Sequence, residues 1–203
     1  MPIKKIIAFG SAKGGVGKSS ITASLALSLS KHKKIGILDA DVYGPNQNIL
    51  FKLDTKNEIV DKQIIPITKK GIKIISMGNI MNYDDAAIWR GPMLSGAIKK
   101  LVHDTRWGNL DYLLIDMPPG TGDVYLTIFN ELSIDKFILI TTPNVLAISD
   151  LQKTITMLKK LNVNIFGYIS NNIFDVEDQN SIKLISDKIN HLGTYTVSYT
   201  HLR

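Results

Sequence analysis

Residues 10–20 of this chain read Gly-Ser-Ala-Lys-Gly-Gly-Val-Gly-Lys-Ser-Ser. The apolar run before them, residues 3–9, predicts a buried strand, and residues 21–30 after them carry apolar side chains at helical spacing. A glycine-rich turn between a strand and a helix is the setting of a phosphate-binding loop, although Ala12 stands where the usual pattern has glycine. The alternative is a turn that only connects the two elements, and the flanking strand and helix favour phosphate binding.

The glycines and one lysine of this turn supply the chemistry that a phosphate needs. Gly14, Gly15 and Gly17 allow successive backbone N–H groups to turn inward, because no Cβ obstructs them. The helix that begins here adds the partial positive charge of its N-terminus. We therefore expect Lys18 to reach the β- and γ-phosphates of a nucleotide and the Ser19 hydroxyl to bind Mg²⁺.

Two later strands are predicted to end in carboxylates. Residues 34–38 lead into Asp39 and Asp41, and residues 111–115 lead into Asp116. Open α/β sheets place their ligands at the carboxyl ends of strands. We predict that Asp41 contacts Mg²⁺ or orients an attacking water, and that Asp116 holds Mg²⁺ through water. Taken alone, Asp116 could equally be a helix N-cap or a surface carboxylate. Its position after the phosphate loop and Asp41 favours the metal role.

Two further segments are candidates for nucleotide contacts. Residues 118–123 read Pro-Pro-Gly-Thr-Gly-Asp, a stiff loop that can place the Gly120 N–H near a γ-phosphate and shift when that phosphate leaves. Asn171 follows the last clear strand, residues 164–170, and its amide can hydrogen-bond to an adenine edge. Asparagine is also a common turn residue, so both interpretations of Asn171 stay open.

The order of the elements predicts the fold class. Strands alternate with helices, which predicts an α/β fold with a mostly parallel sheet and helices on both faces, in a single domain over residues 1–203. The further predicted elements are an edge hairpin around Gly71 within residues 64–76, a helix over 92–106, and strand–helix units over 136–141 with 147–161 and 164–170 with 181–190.

Composition narrows the classes of function. The 203 residues carry a net charge of +6 and no cysteine, which excludes disulfides and thiolate ligation of a metal by this sequence. The lysines come in scattered pairs without interleaved aromatic residues, so we expect neither a nucleic-acid nor a membrane partner. No run is long and apolar enough for a transmembrane helix or a signal peptide, and we expect a cytoplasmic protein.

A second lysine in the loop gives the sequence a family resemblance. Residues 13–19, Lys-Gly-Gly-Val-Gly-Lys-Ser, resemble the deviant phosphate loop of the dimerising MinD, ParA, nitrogenase iron protein and Mrp/ApbC ATPases. Residues 89–93, Trp-Arg-Gly-Pro-Met, and 116–123, Asp-Met-Pro-Pro-Gly-Thr-Gly-Asp, are similar to the Mrp/ApbC/Nbp-type branch. The resemblance covers about residues 4–172. It implies a P-loop NTPase fold and a homodimer that binds and hydrolyses ATP and carries or assembles iron–sulfur clusters for apoproteins.

The resemblance also implies roles for individual residues. Lys13 would cross the dimer interface and touch the nucleotide of the other subunit; otherwise it is an ordinary surface lysine. Turnover is expected to be slow, because hydrolysis serves as a switch. The resemblance and the arguments from the residues together predict catalytic roles for Lys13, Lys18 and Asp41, nucleotide contacts for Gly14, Gly15, Val16, Gly17, Lys18, Ser19, Ser20, Gly120 and Asn171, and Mg²⁺ contacts for Ser19, Asp41 and Asp116.

The sequence departs from this family in two places. Residues 172–179 contain no Cys-x-x-Cys pair, which the family uses to share a cluster between subunits. Residues 197–203 resemble translated sequencing-adapter read-through, and we expect a C-terminally truncated fold. Whether residues after about 191 are native stays open. Two alternatives stay open. The first is a MinD- or ParA-like positioning ATPase that binds membrane or DNA, although residues 181–190 are short and only weakly amphipathic for a membrane-binding helix. The second is a fragment that binds nothing well because its sheet is incomplete.

Overall fold

The computed structural model describes residues 3–80, 92–171 and 189–195. The strands are β1 (Ile3–Ser11), β2 (Ile35–Asp39), β3 (Ile59–Val60), β4 (Gln63–Ile64), β5 (Ile67–Lys69), β6 (Ile72–Ser76), β7 (Leu110–Pro119), β8 (Lys136–Thr141), β9 (Ile165–Asn171) and β10 (His191–Tyr195). The helices are α1 (Lys18–Leu29), α2 (Gln47–Leu50), α3 (Met77–Ile80), α4 (Pro92–His103), α5 (Asp123–Glu131) and α6 (Val145–Lys160).

Eight of the strands form one sheet in the order β10-β9-β8-β1-β7-β2-β6-β5. All neighbouring pairs in it are parallel except β5 with β6, and β3 and β4 form a separate antiparallel pair. Successive side chains of a strand point to opposite faces, so Ala8 and Phe9 of β1 lie in different core clusters. The predicted mostly parallel α/β sheet is confirmed.

Each face of the sheet is covered by its own helices. One core cluster joins the sheet to α4, α5 and α6 through residues such as Ile98, Ile128 and Leu151. The other joins it to α1 through Ile21 and Ala26. Because both faces are covered, the central strands are apolar throughout, and all five residues of β2 are buried. The prediction of helices on both faces is confirmed.

Several predicted boundaries were wrong. Residues 118–119 belong to the end of β7 rather than to the following loop, and α4 ends at His103 rather than near residue 106. The predicted edge pair around Gly71 exists as β5 and β6, but β6 also pairs in parallel with β2 inside the main sheet. Neither α5 nor β10, which pairs with β9, was predicted.

Some sequence predictions lie outside the described residues. They are the motif at residues 89–91, all but the last two residues of the helix predicted over 181–190, and the segment 197–203. Within the described ranges, the structure contains no helix of the length and apolarity that crossing a bilayer requires.

Candidate functional site

A cleft of about 570 Å³ opens at the carboxyl edge of the parallel sheet. This volume lies within the range of small-molecule sites. Strands β1, β2, β7 and β9 all end at this edge, so residues far apart in sequence meet there. The lining consists of Ser11, Lys13, Gly14, Gly15, Val16, Gly17, Lys18, Ser19, Ser20, Asp41, Tyr43, Gly44, Asn46, Ile49, Leu50, Pro119 and Asn171.

The loop between β1 and α1 curves around this cleft. Gly15 and Gly17 have φ values of 78° and 84°, in the left-handed region that favours glycine. The Ser11 hydroxyl donates to the Lys13 carbonyl oxygen at 2.8 Å and closes the start of the turn. Helix α1 begins at Lys18, so its N-terminus faces the cleft. The curved loop and this helix end provide the concave, electropositive backbone that an anion requires.

Lys18 and Asp116 form a buried ion pair at the floor of the cleft. Lys18 Nζ contacts Asp116 Oδ1, and the two side chains are 6% and 0% exposed. The other carboxylate oxygen, Oδ2, accepts a hydrogen bond from Gln47 Nε2 at 2.7 Å. The sequence assigned Lys18 to phosphates and Asp116 to a metal, and the structure shows that the two side chains also neutralise each other.

Asp39 is a buried carboxylate next to this pair. It lies opposite Asp116 in the β2–β7 register. It accepts hydrogen bonds from the Ser76 hydroxyl at 2.9 Å and from three backbone N–H groups, those of residues 41, 46 and 47. Burial, with a smaller contribution from the Asp116 charge, raises the pKa of Asp39 to about 7. The sequence placed Asp39 at a strand end but assigned it no role.

Asp41 lies where the sequence predicted, on the wall of the cleft. Its carboxylate Oδ1 accepts a hydrogen bond from the Gly44 N–H at 3.0 Å, which shapes the loop between β2 and α2. Burial raises its pKa, and the nearby positive charge of Lys18 opposes that shift. Asp41 is therefore close enough to Lys18 for the two charges to interact.

Gly120 and Asn171 both hold the phosphate loop in place. The Gly120 N–H donates to the Ser11 carbonyl oxygen at 3.0 Å, and Gly120 is absent from the cleft lining, unlike its neighbour Pro119. Asn171 Nδ2 donates to the Val16 carbonyl oxygen at 2.9 Å. The predicted contacts of Gly120 with a γ-phosphate and of Asn171 with adenine stay predictions, and in this structure both groups support the loop backbone.

Gln47 is the functional candidate that the sequence did not reveal. It begins α2, is fully buried, and donates from Nε2 to the Ser19 carbonyl oxygen at 3.0 Å as well as to Asp116. A lone glutamine in a polar loop carries no pattern that separates it from a surface residue. Only the folded arrangement shows that it joins two other elements of the site.

The rim of the cleft is exposed and partly apolar. Lys13 is exposed, and the side chains of Tyr43 and Ile49 are 64% and 63% exposed. All three line the cleft. Large apolar side chains that stay exposed beside a ligand pocket are typical of surfaces that a second molecule covers.

The side chains at the site present oxygen atoms that can bind a metal ion and ammonium groups that can bind an anion. The Ser19 hydroxyl and the carboxylates of Asp41 and Asp116 are hard ligands suited to Mg²⁺. Among the described residues, no group of three or more His, Cys, Asp or Glu side chains could hold a metal ion by itself. The arrangement fits an anion in the loop together with a divalent cation that is bound partly by these protein oxygens and partly by the anion itself.

Comparisons with known proteins place the chain in a sequence family. A family model described as "ParA: NUBPL iron-transfer P-loop NTPase" matches residues 2–188. An iron–sulfur cluster carrier protein of Aquifex aeolicus is 45% identical over 173 residues, 83% of this chain and 48% of that protein. The chain thus spans about half the length of this relative.

Solved structures show the same fold. A nucleotide-binding protein of Archaeoglobus fulgidus in complex with ADP has a TM-score of 0.79 and 32% identity, and the match covers 98% of this chain and 84% of that one. The septum site-determining protein MinD of Pyrococcus horikoshii, complexed with Mg-ADP, has a TM-score of 0.73 at 22% identity, over 95% of this chain and 81% of that one. The second similarity concerns the fold alone.

Proposed function

Because the chain belongs to the ParA family of NUBPL iron-transfer P-loop NTPases, we propose that it binds and hydrolyses ATP as a nucleotide-switched homodimer in iron–sulfur cluster assembly or transfer. The observation that carries this proposal is the meeting of the curved glycine loop, Lys18, Asp41 and Asp116 in one cleft. The names of the relatives, a cluster carrier and a nucleotide-binding protein, supply the class of cargo and ligand.

Binding of the triphosphate rearranges the buried pair. The backbone N–H groups of residues 14–19 surround the phosphates, and Lys18 exchanges its contact with Asp116 for a contact with phosphate oxygens. Once Lys18 moves, the negative charge of Asp116 needs a new positive partner, because an unpaired buried charge is costly. Ser19, Asp41 and Asp116 would hold Mg²⁺ at that place, and the ion would supply positive charge to neutralise the phosphate oxygens.

Hydrolysis needs a group that orients water at the terminal phosphate. Asp41 lines the cleft, and its carboxylate is oriented by the hydrogen bond that it accepts from the Gly44 N–H, so it is the residue for this role. Catalysis then consists mainly of positioning and charge stabilisation. We expect turnover well below the roughly 10 s⁻¹ that is typical of enzymes, because hydrolysis resets a switch.

The exposed rim supports the dimer. Tyr43 and Ile49 present apolar surface beside the nucleotide, and a second copy docked there would cover it. Lys13 is exposed at the same rim and free of the buried network, so it can reach a phosphate bound by the other copy. The two copies then depend on nucleotide for their association.

The iron–sulfur cluster is cargo rather than a resident cofactor of these residues. The sequence has no cysteine, so thiolates outside these 203 residues would hold the cluster. The ATPase site does not depend on them. We therefore assign the nucleotide switch to this sequence and leave the cluster ligands to other residues.

Phosphate release tests the proposal. Wild-type protein should release phosphate from ATP in the presence of Mg²⁺ and should speed the ATP-dependent reactivation of an apo iron–sulfur enzyme in a reconstitution mixture. Lys18→Met should lose both effects, whereas Lys31→Met, at an exposed lysine after α1, should keep them. Equal phosphate release by wild type and Lys18→Met would refute the ATPase assignment. ATP-dependent sedimentation with liposomes or DNA, without effect on reactivation, would instead support the positioning alternative.

A further inference from the structure

Gln47 connects two of the three expected Mg²⁺ ligands, Ser19 and Asp116, which lie on different elements. Its side-chain NH₂ group has two hydrogens. One is donated to the carbonyl oxygen of Ser19 on α1 at 3.0 Å, and the other to Oδ2 of Asp116 on β7 at 2.7 Å. Gln47 is 0% exposed and its hydrogen bond to Asp116 is buried, so bulk water does not compete for that bond. One amide therefore holds Ser19 and Asp116 at a defined separation.

The backbone of Gln47 is itself anchored. Its N–H donates to Oδ2 of Asp39 at 3.0 Å, and the same oxygen accepts from the Ser76 hydroxyl at 2.9 Å. Asp39 is the last residue of β2, so the start of α2 is fixed to the sheet next to β7. This anchor determines how far the Gln47 amide reaches into the site.

The role of Gln47 grows when the nucleotide enters. Among the described residues, the side chains that donate to the Asp116 carboxylate are those of Lys18 and Gln47. Once Lys18 turns to the phosphates, Gln47 is the donor that still fixes the orientation of Asp116. Its amide oxygen Oε1 is buried and makes no hydrogen bond to any described residue, so it can accept one from a hydrated ion.

We propose that Gln47 is a positioning residue that sets the geometry of the Mg²⁺ site and thereby favours Mg²⁺ over Ca²⁺. Mg²⁺ demands near-ideal octahedral geometry, whereas Ca²⁺ accepts flexible arrangements, so a loss of positioning penalises Mg²⁺ more. Residues that orient metal ligands typically change metal affinity by roughly 10–100-fold when they are replaced. The inference rests on the proposed function, because it needs a nucleotide at this loop.

The test replaces the amide by an apolar side chain of similar length, Gln47→Met. The readout is binding of a fluorescent ATP analogue, titrated with Mg²⁺ or with Ca²⁺. We expect the half-saturating Mg²⁺ concentration to rise at least about tenfold. The half-saturating Ca²⁺ concentration should change less than about threefold, because Ca²⁺ tolerates a looser site. Affinity for the analogue without metal should stay within about threefold, since the loop backbone that binds the phosphates is unchanged.

Asn79→Leu is the matched control, because Asn79 is a buried amide that donates to the carbonyl oxygens of residues 53 and 55 away from the cleft. It should leave both metal titrations unchanged. Equal losses for Mg²⁺ and Ca²⁺, or no loss, in Gln47→Met would overturn the proposal. If Gln47→Met does not fold, the same two metal titrations are made with Gln47→Asn. The amide of asparagine is too short to reach both partners, so the same difference between Mg²⁺ and Ca²⁺ is expected. If wild type shows no metal-dependent binding of the analogue, the proposed function itself fails.

Discussion

The buried pair of Lys18 and Asp116 leads to a quantitative prediction about folding. In Lys18→Met, the carboxylate of Asp116 stays in a site that is 0% exposed and loses its cationic partner. Breaking a buried pair in this way costs about 3–5 kcal/mol of unfolding free energy. Asp116 keeps its hydrogen bond from Gln47, which offsets part of the loss, so we expect about 3 kcal/mol.

The opposite replacement, Asp116→Asn, should cost less. The Lys18 charge also interacts with Asp39 and Asp41, because it opposes the rise in pKa that burial causes at both carboxyls. After the replacement the ammonium therefore still has negative neighbours. Removing Asp116 also removes a negative charge that raises the pKa of Asp39. We expect a loss of about 1–2 kcal/mol, below the range for a fully unpaired buried charge.

A double-mutant cycle by urea unfolding without nucleotide measures the pair directly. The double variant should cost less than the sum of the single variants, by a coupling of about 1–3 kcal/mol. Lys4→Met, which removes an exposed ion pair with Asp111, is the control and should leave the urea midpoint unchanged. A coupling below about 0.5 kcal/mol would refute the pair as a contact of the folded protein in solution.

Three further outcomes follow from the site. Gly17→Ala should lose at least about 1 kcal/mol in thermal unfolding, because φ is 84° and the new Cβ would collide with Asn171 Nδ2, whereas Gly14→Ala has open space and should keep its stability. Asp39→Ala should lower the free energy of unfolding in urea by more than about 2 kcal/mol, because the Ser76 hydroxyl and buried N–H groups lose their acceptor. Each buried donor left without a partner costs about 1–3 kcal/mol. Lys13→Ala should keep wild-type stability but lose ATP-dependent dimerisation in analytical ultracentrifugation; dimers of normal affinity would exclude the role across the interface.

The phosphate loop and its flanking elements could be predicted because their signals are local. Gly15 and Gly17 stand at the positions that need positive φ, and the apolar runs of β1, β2 and β7 each lead to the edge where the cleft opens. Parallel strands then bring Asp41 and Asp116 to the same edge without further information. The part of the site that is formed by these glycines and strand ends could therefore be predicted from the sequence.

The missed features depend on contacts between distant residues. Helix α5 contains Val124, Tyr125 and Ile128, which favour strands by propensity, yet packing against the sheet makes it a helix. The prolines at 118 and 119 indicated a loop, but they extend the end of β7. The link from Gln47 to Asp116 joins residues 69 apart, and the link from Gly120 to Ser11 also joins residues that are distant in sequence. No spacing rule anticipates either link.

The most direct test of nucleotide binding at this loop is an amide NMR titration of the wild-type chain with a non-hydrolysable ATP analogue and Mg²⁺. We expect saturable shifts that are largest at the backbone N–H groups of residues 14–19, at the curved loop and the start of α1. The amides of β5 and of the β3–β4 pair, which lie outside the cleft lining, should stay unchanged. Unchanged loop amides at saturating analogue, or the largest shifts elsewhere, would contradict the assignment.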